Sequence, residues 1–473
     1  METLQEQLKT QMEDKTLFEQ ARRYACDYMD KVPGRNVFPT RQALQSLNLF
    51  KEPMPAKPAP PADILNMLHT TGSPATVAQT GGRYFGFVCG GAIPAALASK
   101  WLSDVWDQNA GLYIMSPVAS ELESLCEIWI SDLLGLPQNT AAGLVSGTST
   151  ALLCALVAAR NDLLTRMGWD VAGKGLFGAP EIRVIAGEQA HASVFKALSF
   201  IGLGRDRVIL VPADGQGRMI PEKVPALDQN TLLILQAGNV NSGAFDPFEP
   251  LCSAAEQARA WVHVDGAFGL WAAACQTRAH LTAGMEKADS WSVDAHKTLN
   301  APYDCGIVLC RSREALAQAM QATGSYITYS AHRDGMLYTP EMSRRARAVD
   351  LWATLKALGR EGIDALVEGL CQRAQQFAEG LRAEGFRILN DVVFNQVLVA
   401  CATPELTRLT LEAIQSSGTC WCGGSTWKGE PVIRISVCSW ATTASDVECS
   451  IAAFIEARSV ASGKTPGAAA EGE

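Results

Sequence analysis

The sequence predicts an α/β protein: a mainly parallel sheet covered by helices on both faces, followed by a smaller α+β domain. Three observations predict it. Between about residues 64 and 311, helical stretches alternate with the short β-rich runs "IRVIAG", "RVILVPA", "TLLILQAG", "WVHVDGAFG" and "CGIVLC". Strands that recur singly between helices build a parallel sheet. After "SRRARAVDLWATLKALGREG", where Ala346, Val349, Trp352 and Leu355 recur at helical spacing, the texture changes: a long helix leads to "DVVFNQVLVA", another helix and "PVIRISVCSW". With 473 residues, 48% of them hydrophobic, the chain can bury a large core and hold more than one domain.

Residues 1–50 read as helical and amphipathic, and "KEPMPAKPAPPAD" after them holds five prolines, so it is extended or turning and marks a boundary. The expected organisation is an N-terminal helical segment over 1–63, a large domain over 64–349, a small α+β domain over 350–458 and a disordered tail over 459–473. Residues 141–159, "AAGLVSGTSTALLCALVAA", have the length of a membrane span. Their Ser-Gly-Thr-Ser-Thr interior instead reads as a loop that opens a buried helix.

A net charge of -9 without a block of like charges argues against a nucleic-acid or anionic-membrane partner and leaves a small molecule or another protein. The N-terminus "METLQEQLKTQMEDK" lacks the apolar stretch of a secretory signal, so a cytoplasmic protein is expected. Its 14 cysteines lack the spacing of a disulfide scaffold and read as buried thiols. Cys420 and Cys422 form a lone CxC, too little for a zinc site, and no metal is expected.

In an open parallel sheet ligands sit at the carboxyl ends of the strands, so the polar residues that close the runs are the candidates for chemistry. Asp265 ends "WVHVD", with Gly266 and Ala267 after it allowing close approach of a flat ligand; a helix cap or buried salt bridge is the alternative use of such a carboxylate. Lys297 follows in "SWSVDAHK". A lysine is ordinarily solvated, but one desolvated near positive charge offers a neutral amine for imine formation. His191 closes one strand and opens a helix, where an imidazole either caps the helix or lies against an aromatic ring. The turn "SGTST", residues 146–150, stands at a helix N-terminus, where backbone N–H groups and the helix dipole favour a phosphate. It lacks P-loop spacing, and no GxGxxG appears. A phosphate for the turn, an imine carbon for Lys297, a ring for His191 and a basic ring nitrogen for Asp265 are all groups of one ligand, pyridoxal phosphate.

The order of "RYFGF", "SPVASELE", "SGTSTALLCALVAAR", "HASVFKAL", "AGNVNSGAFDP", "HVDGAFG" and "DAHK" resembles the group II pyridoxal-phosphate-dependent amino-acid decarboxylases, which include aromatic amino-acid, glutamate and cysteine-sulfinate enzymes. The resemblance implies fold type I, with a seven-stranded sheet in the large domain. It implies that Lys297 carries the cofactor as an imine, that Asp265 pairs with the pyridine nitrogen, and that His191 stacks on one ring face with Ala267 on the other. It places Thr148, Ser149 and His296 around the phosphate and Tyr84 and Phe85 in the substrate pocket. Ser116 and Pro117 match a segment near the interface of a homodimer with shared active sites.

Three departures accompany it. Thr148 stands where many relatives have a Gly, and Leu152 where they have an Asn; Asn239 stands at a Thr position and is expected to contact cofactor or substrate carboxylate. The segment "HRDGMLYTPEMS" is shorter than the family loop that brings a proton-donating tyrosine, which makes Tyr338 the candidate donor and Tyr329 the second. The expected reaction is decarboxylation of an L-amino acid to amine and carbon dioxide through an imine with the cofactor. Arg434, on one strand face with Ser436, could instead clamp a substrate α-carboxylate and so favour transamination, aldol-type cleavage or aldehyde-forming deamination. A non-catalytic cofactor-binding relative is the remaining class. Tyr84, Phe85 and Trp106 suit an aromatic substrate, whereas Arg333, Arg344 or Arg434 suit an acidic one.

Overall fold

The computed structural model describes residues 3–322 and 329–463. Twelve strands are found among them: β1 (Tyr84–Phe85), β2 (Ala141–Val145), β3 (Arg183–Gly187), β4 (Ile209–Val211), β5 (Thr231–Gln236), β6 (Trp261–Asp265), β7 (Ser290–Asp294), β8 (Gly306–Cys310), β9 (Arg387–Ile388), β10 (Gln396–Ala400), β11 (Trp421–Trp427) and β12 (Glu430–Ser436). Seven form the large sheet in the order β2-β8-β7-β6-β5-β3-β4. All neighbouring pairs from β4 to β7 are parallel, whereas β8 runs against both β7 and β2. Six strands therefore point one way, as in a fold type I sheet.

Two of these strands escape the sequence reading. "AAGLV" and "SWSVD" are not among the β-rich runs read from sequence, yet they are β2 and the buried strand β7. The serines of β7 are tolerated because their hydroxyls are satisfied inside the core. Ser290 Oγ accepts from Trp261 Nε1 at 3.0 Å and lies 2.9 Å from His263 Nδ1, while Ser292 Oγ lies 3.3 Å from His263 Nε2. Burial also drives the His263 pKa down to about 3, so the ring stays neutral there.

Alternate residues of the strands feed two apolar layers. Leu233, Val262, Val264, Trp291 and Val293 pack on one face with Phe248, Trp271 and Leu351. Leu232, Ile234, Trp261 and Val308 pack on the other against the helices Thr148–Arg166 and Ala192–Phe200. Coverage on both faces is why the central strands read as nearly continuous apolar runs. The helix Thr148–Arg166 is the buried helix expected after "SGTST", and no helix among the described residues is long and apolar enough to cross a membrane.

The small sheet has the order β1-β11-β12-β10-β9, antiparallel except that β1 lies parallel to β11. Its first strand comes from Tyr84 and Phe85, placed by sequence in the large domain. The helical run Arg347–Ala383 breaks at Gly359, whose φ of 59° with ψ of -174° is a backbone state open to glycine and not to a helix. Its first part packs on the helices Pro94–Trp106 and Pro117–Leu133, and its second part supplies Leu370, Ala374 and Phe377 to the small core. Beyond the break the helix serves both cores, since Ile363, Val367 and Cys371 still pack in the large one. At the C-terminus, the expected tail begins as helix: Ala444–Ala461 is capped by a reciprocal Thr443–Asp446 box, and residues 464–473 lie outside the described residues.

A buried ionic network pins the segment before the helical run Arg347–Ala383 to the sheet. Glu123 meets Arg333 at 3.1 Å and Arg344 at 2.5 Å, and Glu127 meets Arg333 at 2.6 Å, contacts Arg313 and accepts from the Ala142 N–H at 2.7 Å. Burial pushes the Glu127 carboxyl up, but Arg333, Arg313 and the Ala142 N–H together hold it below its ordinary value. Glu123→Ala leaves Arg344, 1% exposed, without its counter-ion. The variant should lose about 3–5 kcal/mol of stability, read as a lowered urea midpoint, because one partner of a buried pair is left uncompensated.

Candidate active site

The parallel strands bring their carboxyl ends to one edge of the large sheet, and the polar residues singled out above follow those ends. His191 lies four residues past β3, Asp265 closes β6, Lys297 lies three residues past β7, and the turn at residues 146–150 leaves β2. They line one cavity of about 420 Å³, together with Phe87, Val88, Val240, Ala267, Phe268, Asp294, His296 and Tyr303. That volume is in the range of small-molecule sites.

Asp265 is 5% exposed and accepts a bond from the Ala267 N–H at 3.3 Å. Burial raises its pKa; His191 and Lys297, both facing it, oppose the rise without cancelling it. Such a carboxyl has most to gain from a cation delivered into the cavity. His191 combines the two uses open to it in sequence: its Nδ1 caps the helix Ala192–Phe200, at 3.3 Å from the Ser193 N–H and 2.7 Å from Ser193 Oγ, while the ring faces the cavity. Burial lowers its pKa, and the pull of Asp265 only partly restores it.

Lys297 Nζ lies 2.9 Å from Asp294 Oδ2. The backbone around the lysine is clamped by Asn300, whose φ of 59° is a state that asparagine tolerates. Asn300 Oδ1 accepts from Gly91 N–H at 2.6 Å and Trp440 N–H at 2.9 Å, and its Nδ2 donates to the carbonyls of Thr298 at 2.8 Å and Cys438 at 2.9 Å. One amide thus ties the lysine loop to the chain at Gly91 and to the small domain. His296 Nδ1 accepts from the Cys305 N–H at 3.0 Å, which puts the proton of the neutral ring on Nε2, and its ring stacks on Tyr303 with centroids 4.2 Å apart. Burial lowers the His296 pKa more than Asp294 raises it.

At the turn, Thr148 is buried and Ser149 exposed, and both line the cavity. Thr148 Oγ1 is buried without a hydrogen-bond partner, an orphan at the turn expected to take the phosphate.

Five predicted residues, and the second tyrosine considered, fall outside the lining. Asn239 is 1% exposed and does not line the cavity; its Oδ1 closes a local turn by accepting from the N–H groups of Asn241 and Ser242. Phe85 is fully buried in the small core, edge-on to Phe377 at 4.9 Å, because β1 joins the small sheet and its alternation turns Phe85 inward. Tyr84, 5% exposed, stacks on Trp421 behind the cavity wall. Tyr338 is 8% exposed, accepts from Arg313 Nη1 at 2.9 Å and lies under Arg333, packed with the helix Thr148–Arg166 away from the cavity. The second tyrosine considered, Tyr329, donates to the Ala322 carbonyl at 2.7 Å. Arg434 stands just outside the lining: its Nη1 donates to the carbonyl of Val240 at 3.1 Å, and its buried Nε has no partner.

Phe87, Asp294, Asn300 and Tyr303 were not singled out in sequence. Phe87 and Asp294 lay inside quoted motifs and Tyr303 beside one; for Asn300 the only signal was its place three residues after the lysine.

Comparison with known proteins agrees with this geometry. A family model described as the pyridoxal-dependent decarboxylase conserved domain matches residues 44–400. Among curated proteins, tyrosine decarboxylase 2 of Narcissus pseudonarcissus is 24% identical over 88% of this chain and 87% of its own length, and phenylacetaldehyde synthase of Petunia hybrida is 26% identical over 82% and 83%. Among solved structures, Oryza sativa TDC with PLP and tryptamine superposes with a TM-score of 0.85 at 22% identity, covering 94% of this chain and 97% of that one. Mouse CSAD in apo form gives 0.85 at 21%, covering 94% and 98%. At these identities the superpositions show a shared fold.

Proposed function

The chain belongs to the pyridoxal-dependent decarboxylase family, a carboxy-lyase whose cofactor is pyridoxal phosphate, and from that premise we propose that it decarboxylates an L-amino acid with an aromatic or large apolar side chain. The observation that carries the reading is the convergence of Lys297, Asp265, His191 and the turn at residues 146–150 on one cavity.

The residues present fit the cofactor. The orphaned Thr148 Oγ1 and the start of the helix Thr148–Arg166 suit its phosphate, with Ser149 and His296 beside them. Asp265 suits its ring nitrogen, His191 and Ala267 its two faces, and Lys297 its carbonyl carbon. When bound, pyridoxal phosphate supplies a conjugated ring that takes up the electrons left on the substrate α-carbon as carbon dioxide departs.

The protein's own part is to hold charges and protons in place. Asp265 keeps a proton on the ring nitrogen, since a buried carboxylate binds a cation far better than it tolerates standing alone. Phe87, Val88, Val240 and Phe268 give the cavity an apolar wall that keeps out water and receives the substrate side chain. No arginine lines the cavity among the described residues, and Arg333 and Arg344 are held by Glu123 and Glu127. Of the three arginines considered for an acidic side chain only Arg434, just outside the lining, stands near, and the apolar wall favours the aromatic substrate. Orientation of the carboxylate within these walls selects the bond that breaks.

Tyr303 takes the place assigned in sequence to Tyr338 as proton donor to the α-carbon. Tyr303 lines the cavity with Lys297, and its ring stacks on His296. Tyr303→Phe should lower kcat by about 10²-fold with little change in KM, whereas Tyr338→Phe should leave kcat unchanged. Equal kcat in Tyr303→Phe and the native protein would remove Tyr303 from this role.

A homodimer is part of the reading. The helix Pro94–Trp106 exposes Trp101, Leu102, Val105 and Trp106, and Ile114, Met115, Leu125 and Ile128 continue the apolar surface; a second copy is the cover that such a face requires. A fully active monomer in sedimentation would contradict it. The free state of the cysteines, most of them buried, supports a reducing compartment such as the cytoplasm.

The substrate is tested by kcat/KM over L-tyrosine, L-phenylalanine, L-tryptophan, L-glutamate and cysteine sulfinate, with an aromatic one preferred by about 10²-fold or more. The relative named phenylacetaldehyde synthase makes the product worth identifying in the same assay: an aldehyde in place of the amine would assign the chain to the oxidative branch.

A further inference from the structure

The cavity holds a second carboxylate that the reaction above does not use. Asp294 closes β7 with its side chain 3% exposed, and its backbone is fixed by a bond from its N–H to the Ala267 carbonyl at 2.9 Å and another from Trp271 Nε1 to its own carbonyl at 2.9 Å. Its Oδ1 accepts from the N–H of Thr148 at 2.6 Å and stands 3.7 Å from His296 Nε2, while Oδ2 takes Lys297 Nζ at 2.9 Å. The Thr148 N–H is the first donor of a 19-residue helix, the end at which the cofactor phosphate is placed. The same carboxylate therefore holds one of the phosphate's donors and the cofactor's lysine. Thr148 is 6% exposed, and its hydroxyl is left without a partner at that end.

We propose that Asp294 is a positioning residue that stands in for the cofactor's phosphate in the cofactor-free chain, holding Lys297 as an ammonium and capping the helix, and that it sets the cofactor affinity by opposing the incoming anion. A phosphate dianion and Asp294 draw on the same helix end and the same cation, and two anions so close in a buried site repel strongly. Asparagine keeps the shape and the acceptor for the Thr148 N–H but not the charge, so Asp294→Asn should bind phosphate more tightly while preserving the cap. The inference rests on pyridoxal phosphate as the cofactor.

The test is equilibrium binding to cofactor-free protein, followed by tryptophan fluorescence and by thermal shift, with pyridoxal phosphate, pyridoxal and inorganic phosphate as separate probes. Asp294→Asn should tighten pyridoxal phosphate and inorganic phosphate at least about 10-fold, with pyridoxal, which lacks the phosphate, changing less than about threefold. Lys297→Ala should weaken inorganic phosphate, and the double variant Lys297→Ala/Asp294→Asn should regain it, a reversal that a merely structural role for Asp294 would not produce. Equal or weaker binding of both phosphate probes in Asp294→Asn would overturn the proposal, as would a double variant no better than Lys297→Ala. A native chain that binds neither pyridoxal nor its phosphate would instead overturn the cofactor assignment beneath it.

Discussion

Lys297→Ala should abolish the visible band of the bound cofactor and lower kcat by about 10³-fold or more, the scale of loss when a group acting at the reacting centre is removed. Lys297 is the lysine that lines the cavity, and its amine is the only one there that can link covalently to a carbonyl carbon and release it to a substrate amine. The surrounding backbone does not depend on the side chain: Asn300 and the bond from Thr298 Oγ1 to the Phe268 carbonyl at 2.7 Å hold the loop. The variant should therefore fold with a melting temperature near that of the native protein while losing the band. A band of native intensity in Lys297→Ala would place the covalent link on another residue.

The second large effect belongs to Asp265. Asp265→Asn keeps the size and the acceptor for the Ala267 N–H, yet it cannot hold a proton on the ring nitrogen as a carboxylate does. Loss of one preorganised charge at a reacting centre lowers kcat by about 10² to 10³-fold. The cofactor should still attach, because Lys297 and the turn at residues 146–150 are untouched, so the visible band persists while turnover fails. Loss of the band together with turnover would mean that Asp265 serves binding alone, and a kcat within a factor of about three of native would remove it from the chemistry.

These residues were legible in sequence because each terminates an element in a recognisable way. Asp265 closes an alternating apolar run, His191 stands between a strand and a helix, and residues 146–150 open a helix with small polar residues; the parallel topology then brings such ends to one edge. What sequence could not supply was register and tertiary direction. Phe85 and Phe87 differ by two positions, yet the pairing of β1 with β11 sends Phe85 into the small core, and Phe87, with φ of 55°, turns to the cavity. Tyr338 was chosen because its segment "HRDGMLYTPEMS" resembles the family loop that brings a proton-donating tyrosine. The ionic network of Arg313, Arg333, Glu123 and Glu127 instead folds that segment against the helix Thr148–Arg166. β7 was missed because its serines interrupt the apolar pattern, and only the fold brings His263 and Trp261 to satisfy them. Asp294, three residues before Lys297, was passed over for the same reason, as the end of a strand not recognised as one.

The central claim is that this cavity removes the carboxylate of an amino acid and returns a proton to the carbon left behind. Its most direct test is the holoenzyme with a single aromatic L-amino acid, with carbon dioxide, amine and the cofactor's amine form quantified in the same reaction. Carbon dioxide and amine appearing one for one, with no build-up of the amine form of the cofactor, is the result this account predicts. Accumulation of that amine form with a keto acid and no carbon dioxide would contradict it and move the chain to transamination.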